Sequence, residues 1–303
     1  MSITASILDW FVKSKRDLPF RNTKDPYLVW LSEVMLQQTQ VKTAIPYYKK
    51  WIKKYPSIRS VAHAKESELL KCWEGLGYYA RCRNFHKSAR IIVKYYDGFV
   101  PNNWDKFRSF PGVGDYTAAA VLSIAFKQSF PAIDGNVRRV MARILGYRKL
   151  SKRNMNIIQS TLCKWIHTTE PGDFNQAMMD LGACVCFPTN PACMHCPVNY
   201  YCKAFSSGNP MNYPLKNKHK KIPDHTFVAG IIWQGDQFFI QKRYSSGMLG
   251  GLWEFPGGKV ESGESLVVAL KQKIKEKCGT ETKIIKQVGS INHAYSHFSI
   301  TLY

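Results

Sequence analysis

Cys186, Cys193, Cys196 and Cys202 follow the spacing C-x6-C-x2-C-x5-C. Four thiolates this close in sequence can wrap one compact metal centre, and Pro188, Pro191 and Pro197 stiffen the turns between them. Zinc is also held by four cysteines, but structural zinc sites commonly pair two C-x2-C knuckles, and only one stands here. The chain has nine cysteines, an odd number, with five of them between Cys184 and Cys202. That crowding suits a metal site in a reducing compartment better than a disulfide framework. Cys184 falls outside the spacing and reads as a small buried residue, and Cys72, Cys82, Cys163 and Cys278 read as structural.

A second chemical feature is the turn Pro111-Gly112-Val113-Gly114, which lies between two helical patterns. Two glycines let the backbone turn tightly with its amides exposed, and a helix start just behind it could hold a phosphate without reading sequence. Taken alone, the same turn could be an ordinary helix connection. A third feature is an acid inside a helix. Asp25-Pro26 sets a capping residue before a first-turn proline, which predicts a helix running through Trp30, Glu33 and Leu36 to about Lys42.

The elements that must carry these residues follow from pattern and composition. With 303 residues, 45% of them apolar, the chain can bury two cores of unequal size. From Ile3 to about Phe205, apolar residues recur at helical spacing with no convincing strand. Residues 206–224 hold three prolines and a basic run from Lys216 to Lys221, and read as a linker. Beyond it, residues 226–233 and 237–241 read as strands joined by Gln234-Gly235-Asp236, and residues 265–278 as a helix. The expected division is 1–205, a linker at 206–224, and 225–303, the first part mainly α and the second α+β.

Lys and Arg number 43 against 21 Asp and Glu, a formal charge of +22, which points to a polyanionic partner such as nucleic acid. The longest apolar stretch, residues 118–126, is too short to span a bilayer. The first residues lack a basic region followed by an apolar run, so the chain is expected to be intracellular, cytoplasmic or nucleoid-associated if bacterial, and not membrane-bound.

Four segments carry a resemblance to a known family: Leu18-Pro19-Phe20-Arg21, residues 30–41, Gly75-Leu76-Gly77-Tyr78-Tyr79-Ala80-Arg81, and Ile133-Asp134-Gly135-Asn136-Val137. With the hairpin and the four cysteines, these resemble the MutY-type adenine DNA glycosylases of the helix-hairpin-helix, endonuclease III superfamily, over essentially the whole chain. The resemblance implies a [4Fe–4S] cluster on Cys186, Cys193, Cys196 and Cys202. It also implies a monomer acting on double-stranded DNA with adenine opposite 8-oxoguanine or guanine. In the lyase branch the residue after P-G-V-G-x is a nucleophilic lysine; here it is Tyr116, which argues for a monofunctional enzyme.

The same resemblance assigns chemistry. Adenine leaves poorly as an anion, so an acid must protonate its ring, and Glu33 matches that acid. Asp134 matches the carboxylate that stabilises the electron-deficient sugar or bonds to it transiently before water arrives. The two need opposite protonation states, and an apolar helix around Glu33 should raise its pKa. Asn136 and Tyr116 match residues that position the sugar and the acid. Phe20 and Arg21 match the pocket wall and its polar edge, with phenylalanine where tryptophan is more usual. Gln38 and Tyr78 match side chains that wedge into the duplex as the base is extruded. In isolation Glu33 would be a solvated helix residue, Asp134 a turn or helix cap, and Tyr78 a packed aromatic.

In the second domain Gly258 and Glu264 match the start of a Nudix box, G-x5-E. Lys273 and Lys277 stand where metal-binding glutamates belong. The resemblance therefore implies a Nudix-derived reader of 8-oxoguanine, using Ser296 and His297 beside Tyr295. The chain stops at Tyr303, where family members usually continue, which reads either as a trimmed, incomplete domain or as a naturally short one. Two alternatives are an endonuclease III-like glycosylase/lyase and a non-catalytic iron–sulfur DNA-binding protein. Tyr116 speaks against the first, and the presence of both Glu33 and Asp134 against the second.

Overall fold

The computed structural model describes residues 2–215, 223–244, 250–295 and 298–303. Ser296, His297 and the basic run from Lys216 to Lys221 lie outside the described residues. The chain divides into two compact units, Met1–Lys216 and Asn217–Tyr303.

Helices build the first unit, with no strand among its described residues. They are α1 (Ile3–Ser14), α2 (Pro26–Leu36), α3 (Val41–Lys54), α4 (Ile58–His63), α5 (Glu66–Trp73), α6 (Ala80–Tyr95), α7 (Trp104–Arg108), α8 (Asp115–Phe126), α9 (Gly135–Leu145), α10 (Lys152–Trp165), α11 (Pro171–Cys184) and the single turn α12 (Lys203–Ser206). Short polar side chains start many of them. Ser2, Asp25, Asn103, Asp134 and Ser151 each accept a hydrogen bond from an amide of the first turn.

Two apolar clusters hold the unit together. One gathers Trp30, Trp51, Trp73, Phe85 and Phe107 from α2 through α8. The other gathers Ile7, Phe11, Met141, Phe174 and Leu181 from α1, α9, α10 and α11. Full burial of each such side chain contributes roughly 1.5–3 kcal/mol. Helices α2 and α8 pack against each other and are buried along nearly their whole length. Glu33 and Tyr116 ride on these two helices, so the core itself fixes their separation.

The expected helix from Asp25 to Lys42 stops early, at Leu36. Gln38 has φ +56, a left-handed conformation that ends the helical ladder. The freed carbonyls of Val34, Met35 and Gln37 accept instead from the Arg81 guanidinium. This three-dimensional partner, remote in sequence, overrides a helical pattern that would otherwise continue into α3.

The second unit holds a four-stranded sheet in the order β6-β1-β8-β7, formed by β1 (Asp224–Ala229), β6 (Gly257–Lys259), β7 (Ile291–Ala294) and β8 (Ser299–Leu302). Strand β1 is parallel to β8 and antiparallel to β6. The expected strand over residues 226–233 breaks at Gly230, whose amide turns to the Pro256 carbonyl. The chain then forms a short hairpin of β2 (Trp233–Gln234) and β3 (Gln237–Phe238) around Gly235, φ +63. The strand expected over 237–241 also breaks, because β4 (Gln241–Lys242) changes partner to β5 (Trp253–Glu254). The expected helix is α13 (Leu266–Cys278), capped by Ser265 and closed by Gly279 at φ +67.

Candidate active site

Glu33 lies in the middle of α2 and is only 8% exposed. One carboxyl oxygen, Oε2, is buried with no hydrogen-bond partner, while the side chain is hydrogen bonded to Tyr116. Burial pushes its pKa from 4.5 to about 7, with the nearby Asp134 carboxylate adding to the rise; the Tyr116 bond and the Arg21 charge oppose it. Near neutral pH this carboxyl therefore holds a proton for much of the time. A buried polar atom without a partner is costly in a finished core. It is useful where an incoming group supplies the partner. Tyr116, on α8, is itself pushed well above its usual range by burial and by Glu33. Its hydroxyl lies 3.5 Å from Met179 Sδ.

Asp134 is both a helix cap and a member of this group. Its Oδ1 accepts from the Val137 amide at 2.7 Å, and its Oδ2 from Asn136 Nδ2 at 3.1 Å. The start of α9 thus fixes the carboxylate facing Glu33. Asn136 is oriented in turn by Arg139, which donates to Asn136 Oδ1, the Gly182 carbonyl and the Cys186 carbonyl, each at 2.8 Å.

One helix that sequence reasoning passed over, α11, supports all of these groups. Met179 meets Tyr116, and Gly182 lets the helix approach so closely that a Cβ there would sit 2.5 Å from Asn136 Cβ. Between them Asp180, 1% exposed, accepts from Arg21 Nη1 at 2.6 Å and Nη2 at 2.7 Å, and from Arg16 Nε at 2.8 Å. Burial would raise the Asp180 pKa, but the two guanidiniums outweigh it and hold the carboxyl below its ordinary value. Arg21 is thereby pinned beside Glu33, next to Phe20, whose ring packs edge-on against Tyr48 at 5.7 Å. A helical pattern in sequence does not reveal that Asp180 points inward. Only its companionship with two arginines distant in sequence does so.

Beyond α11 the four cysteines come together: Cys186, Cys193, Cys196 and Cys202 line one cavity with Arg143. Arg143 is 2% exposed, its Nη1 lies 3.2 Å from Cys186 Sγ, and it also donates to the carbonyls of Phe187, Pro188, Pro210 and Tyr213. Burial pushes the thiols of Cys193, Cys196 and Cys202 upward, Cys196 to about 12. Among the described residues, no three Cys, His, Asp or Glu side chains are set to hold a single ion. Cys184 corrects an expectation: it ends α11 and is exposed rather than buried. Cys72 and Cys82 are buried, and Cys163 and Cys278 half-buried.

The remaining candidates lie on loops. Gln38 and Tyr78 occupy the loops after α2 and before α6, both with positive φ, and both are exposed. The Pro111–Gly114 hairpin joins α7 to α8, held by Ser88 Oγ on the Pro111 carbonyl at 3.0 Å. At Gly112, φ +79, a Cβ would meet Asn84 Cβ at 2.8 Å, so glycine is required for both conformation and space. Gly114 begins α8 without a side-chain cap.

Comparison with known proteins fits this geometry. Residues 31–164 match the HhH-GPD superfamily of base excision DNA repair proteins, and residues 228–303 match the NUDIX domain family. The adenine DNA glycosylase of Buchnera aphidicola subsp. Acyrthosiphon pisum is 39% identical over 299 residues, covering 96% of this chain and 82% of the relative. The chain belongs to the adenine DNA glycosylase family. The Mus musculus adenine DNA glycosylase is 34% identical and is matched over 98% of this chain and 68% of its own length. Among solved structures, a thermostable thymine-DNA glycosylase superposes with a TM-score of 0.63 at 29% identity, covering 67% of this chain and 95% of the other.

As an adenine glycosylase of base excision repair, the chain spends part of its basic excess internally. Arg139 and Arg143 face the cysteine loop and α11, and Arg81 faces backbone carbonyls. Net charge in this adenine glycosylase therefore overstates the positive face offered to DNA. No helix among the described residues is long and apolar enough to cross a membrane.

Proposed function

We propose that this adenine glycosylase is a monofunctional enzyme acting as a monomer on duplex DNA, removing adenine opposite 8-oxoguanine or guanine. The observation that carries this reading is Glu33: buried, held near pKa 7, and facing a carboxylate whose two oxygens are fixed by α9. Glu33 donates its proton to the adenine ring so that the base departs neutral. Asp134 then stabilises the positive sugar, or bonds to it until water arrives. Tyr116 orients Glu33, Asn136 orients Asp134, and Arg21 with Phe20 forms the edge of the base pocket. Gln38 and Tyr78 fill the gap left by the extruded base, and the hairpin Pro111, Gly112, Val113 and Gly114 holds a phosphate. The division at 1–205, 206–224 and 225–303 assigns catalysis to the first domain and recognition of the opposing base to the last.

No amine takes the place of Tyr116, so the product is an intact abasic strand. Borohydride added during turnover is expected to trap no covalent protein–DNA complex, and strand breaks should appear only after alkali. Trapping at the rate of excision would instead assign the lyase chemistry of the sister branch.

Cys186, Cys193, Cys196 and Cys202 suit a [4Fe–4S] cluster, since all four line one cavity and their spacing holds a single C-x2-C knuckle where structural zinc sites commonly pair two. Such a cluster would pull the ends of this loop into one folded unit behind α11. Anaerobically purified protein is expected to contain iron and acid-labile sulfide in equal amounts; stoichiometric zinc without sulfide would refute the assignment. In the second domain, Lys273 and Lys277 pair with Glu276 and Glu254, which fits loss of metal-dependent hydrolysis. Recognition of 8-oxoguanine by Ser296 and His297 rests on the resemblance, as both lie outside the described residues.

A further inference from the structure

Arg81, in the first turn of α6, is surrounded by backbone rather than by acids. Its Nη1 donates to the carbonyls of Val34 at 2.9 Å, Met35 at 3.0 Å and Gln37. Its Nη2 donates to Thr39 Oγ1 at 3.2 Å and to the carbonyls of Leu76 at 3.3 Å and Gly77 at 3.1 Å. The guanidinium also lies 5.5 Å from the ring of Trp73 and 5.4 Å from that of Tyr78. These contacts bracket two particular residues. Gln37 and Thr39 flank Gln38, and Gly77 precedes Tyr78.

Gln38 and Tyr78 are themselves unusual, with φ of +56 and +50, a region that residues other than glycine seldom adopt. Such conformations persist only where the surroundings over-determine them. Here the Arg81 side chain reaches both loops, with Trp73 Nε1 donating beside it to the Gly77 carbonyl at 3.0 Å. Burial lowers the Arg81 pKa to about 10, and its Nε is buried with no partner. The fold thus accepts a poorly solvated cation for the sake of its fork. Lysine would supply the charge but not the planar, multi-toothed geometry that spans both loops.

We propose that Arg81 is a positioning residue that locks the Gln38 and Tyr78 loops into one two-pronged wedge, so that base extrusion uses both side chains at a fixed separation. The inference rests on the reading of Gln38 and Tyr78 as duplex wedges. It adds that neither prong works without the clamp.

The test uses the full chain in a Glu33→Gln background, expected to bind without cleaving, and a duplex with 2-aminopurine beside the adenine opposite 8-oxoguanine. Fluorescence amplitude at saturating protein reports unstacking rather than affinity. Arg81→Lys should cut that amplitude at least about fivefold with the circular dichroism spectrum retained, because the ammonium cannot bridge both loops. The pair Gln38→Ala with Tyr78→Ala should lose as much, and adding Arg81→Lys to that pair should change nothing more. Unaltered amplitude in Arg81→Lys overturns the inference, as do losses that simply add. Full amplitude in the alanine pair overturns the wedge reading itself, whatever Arg81 does. If Arg81→Lys does not fold, Thr39→Ala removes one tooth of the clamp, and an amplitude reduced about twofold is expected in place of an unchanged one, which would count against the clamp.

Discussion

Glu33→Gln is expected to lose adenine excision by about 10²–10⁴-fold in single turnover while still binding duplex DNA, the range typical of a removed general acid. The amide preserves shape and can still bond Tyr116, but it has no acidic proton to give. In the wild-type enzyme the same proton sets the pH dependence. Glu33 titrates near 7, so the rate should fall as pH rises through that value and deprotonates the acid. The variant should also be the more stable protein at alkaline pH. Because the folded-state pKa exceeds the ordinary value of 4.5, the unfolded chain sheds this proton first, and ionisation erodes native stability between roughly pH 4.5 and 7. Removing the acid lifts that penalty, by up to about 3 kcal/mol. Melting midpoints of the two proteins should therefore differ least below pH 4.5, move apart between pH 4.5 and 7, and keep a constant gap above 7. Near-normal excision by Glu33→Gln would remove Glu33 from the chemistry.

Asp134→Asn is expected to slow excision by about 10²–10³-fold, as when a preorganised group facing a developing charge is lost. This substitution separates two roles that one side chain combines. Asparagine caps helices about as well as aspartate, so its Oδ1 can keep the bond to the Val137 amide and α9 should remain intact. What disappears is the negative charge beside the sugar. Unchanged melting with lost activity is the expected pair of results. A large drop in melting midpoint with a proportionate loss of activity would mean that Asp134 acts mainly as a cap.

The candidate catalytic and cluster residues can be picked out in the sequence because they sit in contiguous segments: Glu33 in residues 30–41, Asp134 and Asn136 in residues 133–137, and the cysteines in one short stretch. Their supporting residues cannot. Asp180 looks like the polar side of a helix until Arg16 and Arg21, more than 150 positions away, close on it. Arg139 and Arg143 count toward the basic excess of the composition, yet both donate to carbonyls at the cysteine loop. The end of α2 is hidden from local pattern for the same reason, since the stop signal is Arg81, over forty residues later. Helical class and the order of elements followed from local periodicity. In the second unit, β1 and β3 broke where Gly230 and Gln241 took partners from the segment 253–259 and its neighbours, a pairing that alternation within one strand cannot specify.

Adenine removal directed by the opposing base can be measured by single-turnover excision on otherwise identical duplexes with adenine opposite 8-oxoguanine, guanine, cytosine and thymine. Alkali-dependent cleavage at the adenine is expected opposite 8-oxoguanine and guanine, and much slower cleavage opposite cytosine and thymine. Equal rates in all four duplexes would rule out direction by the opposing base, and alkali-independent cleavage at an oxidised pyrimidine with the adenine left in place would rule out adenine as the substrate.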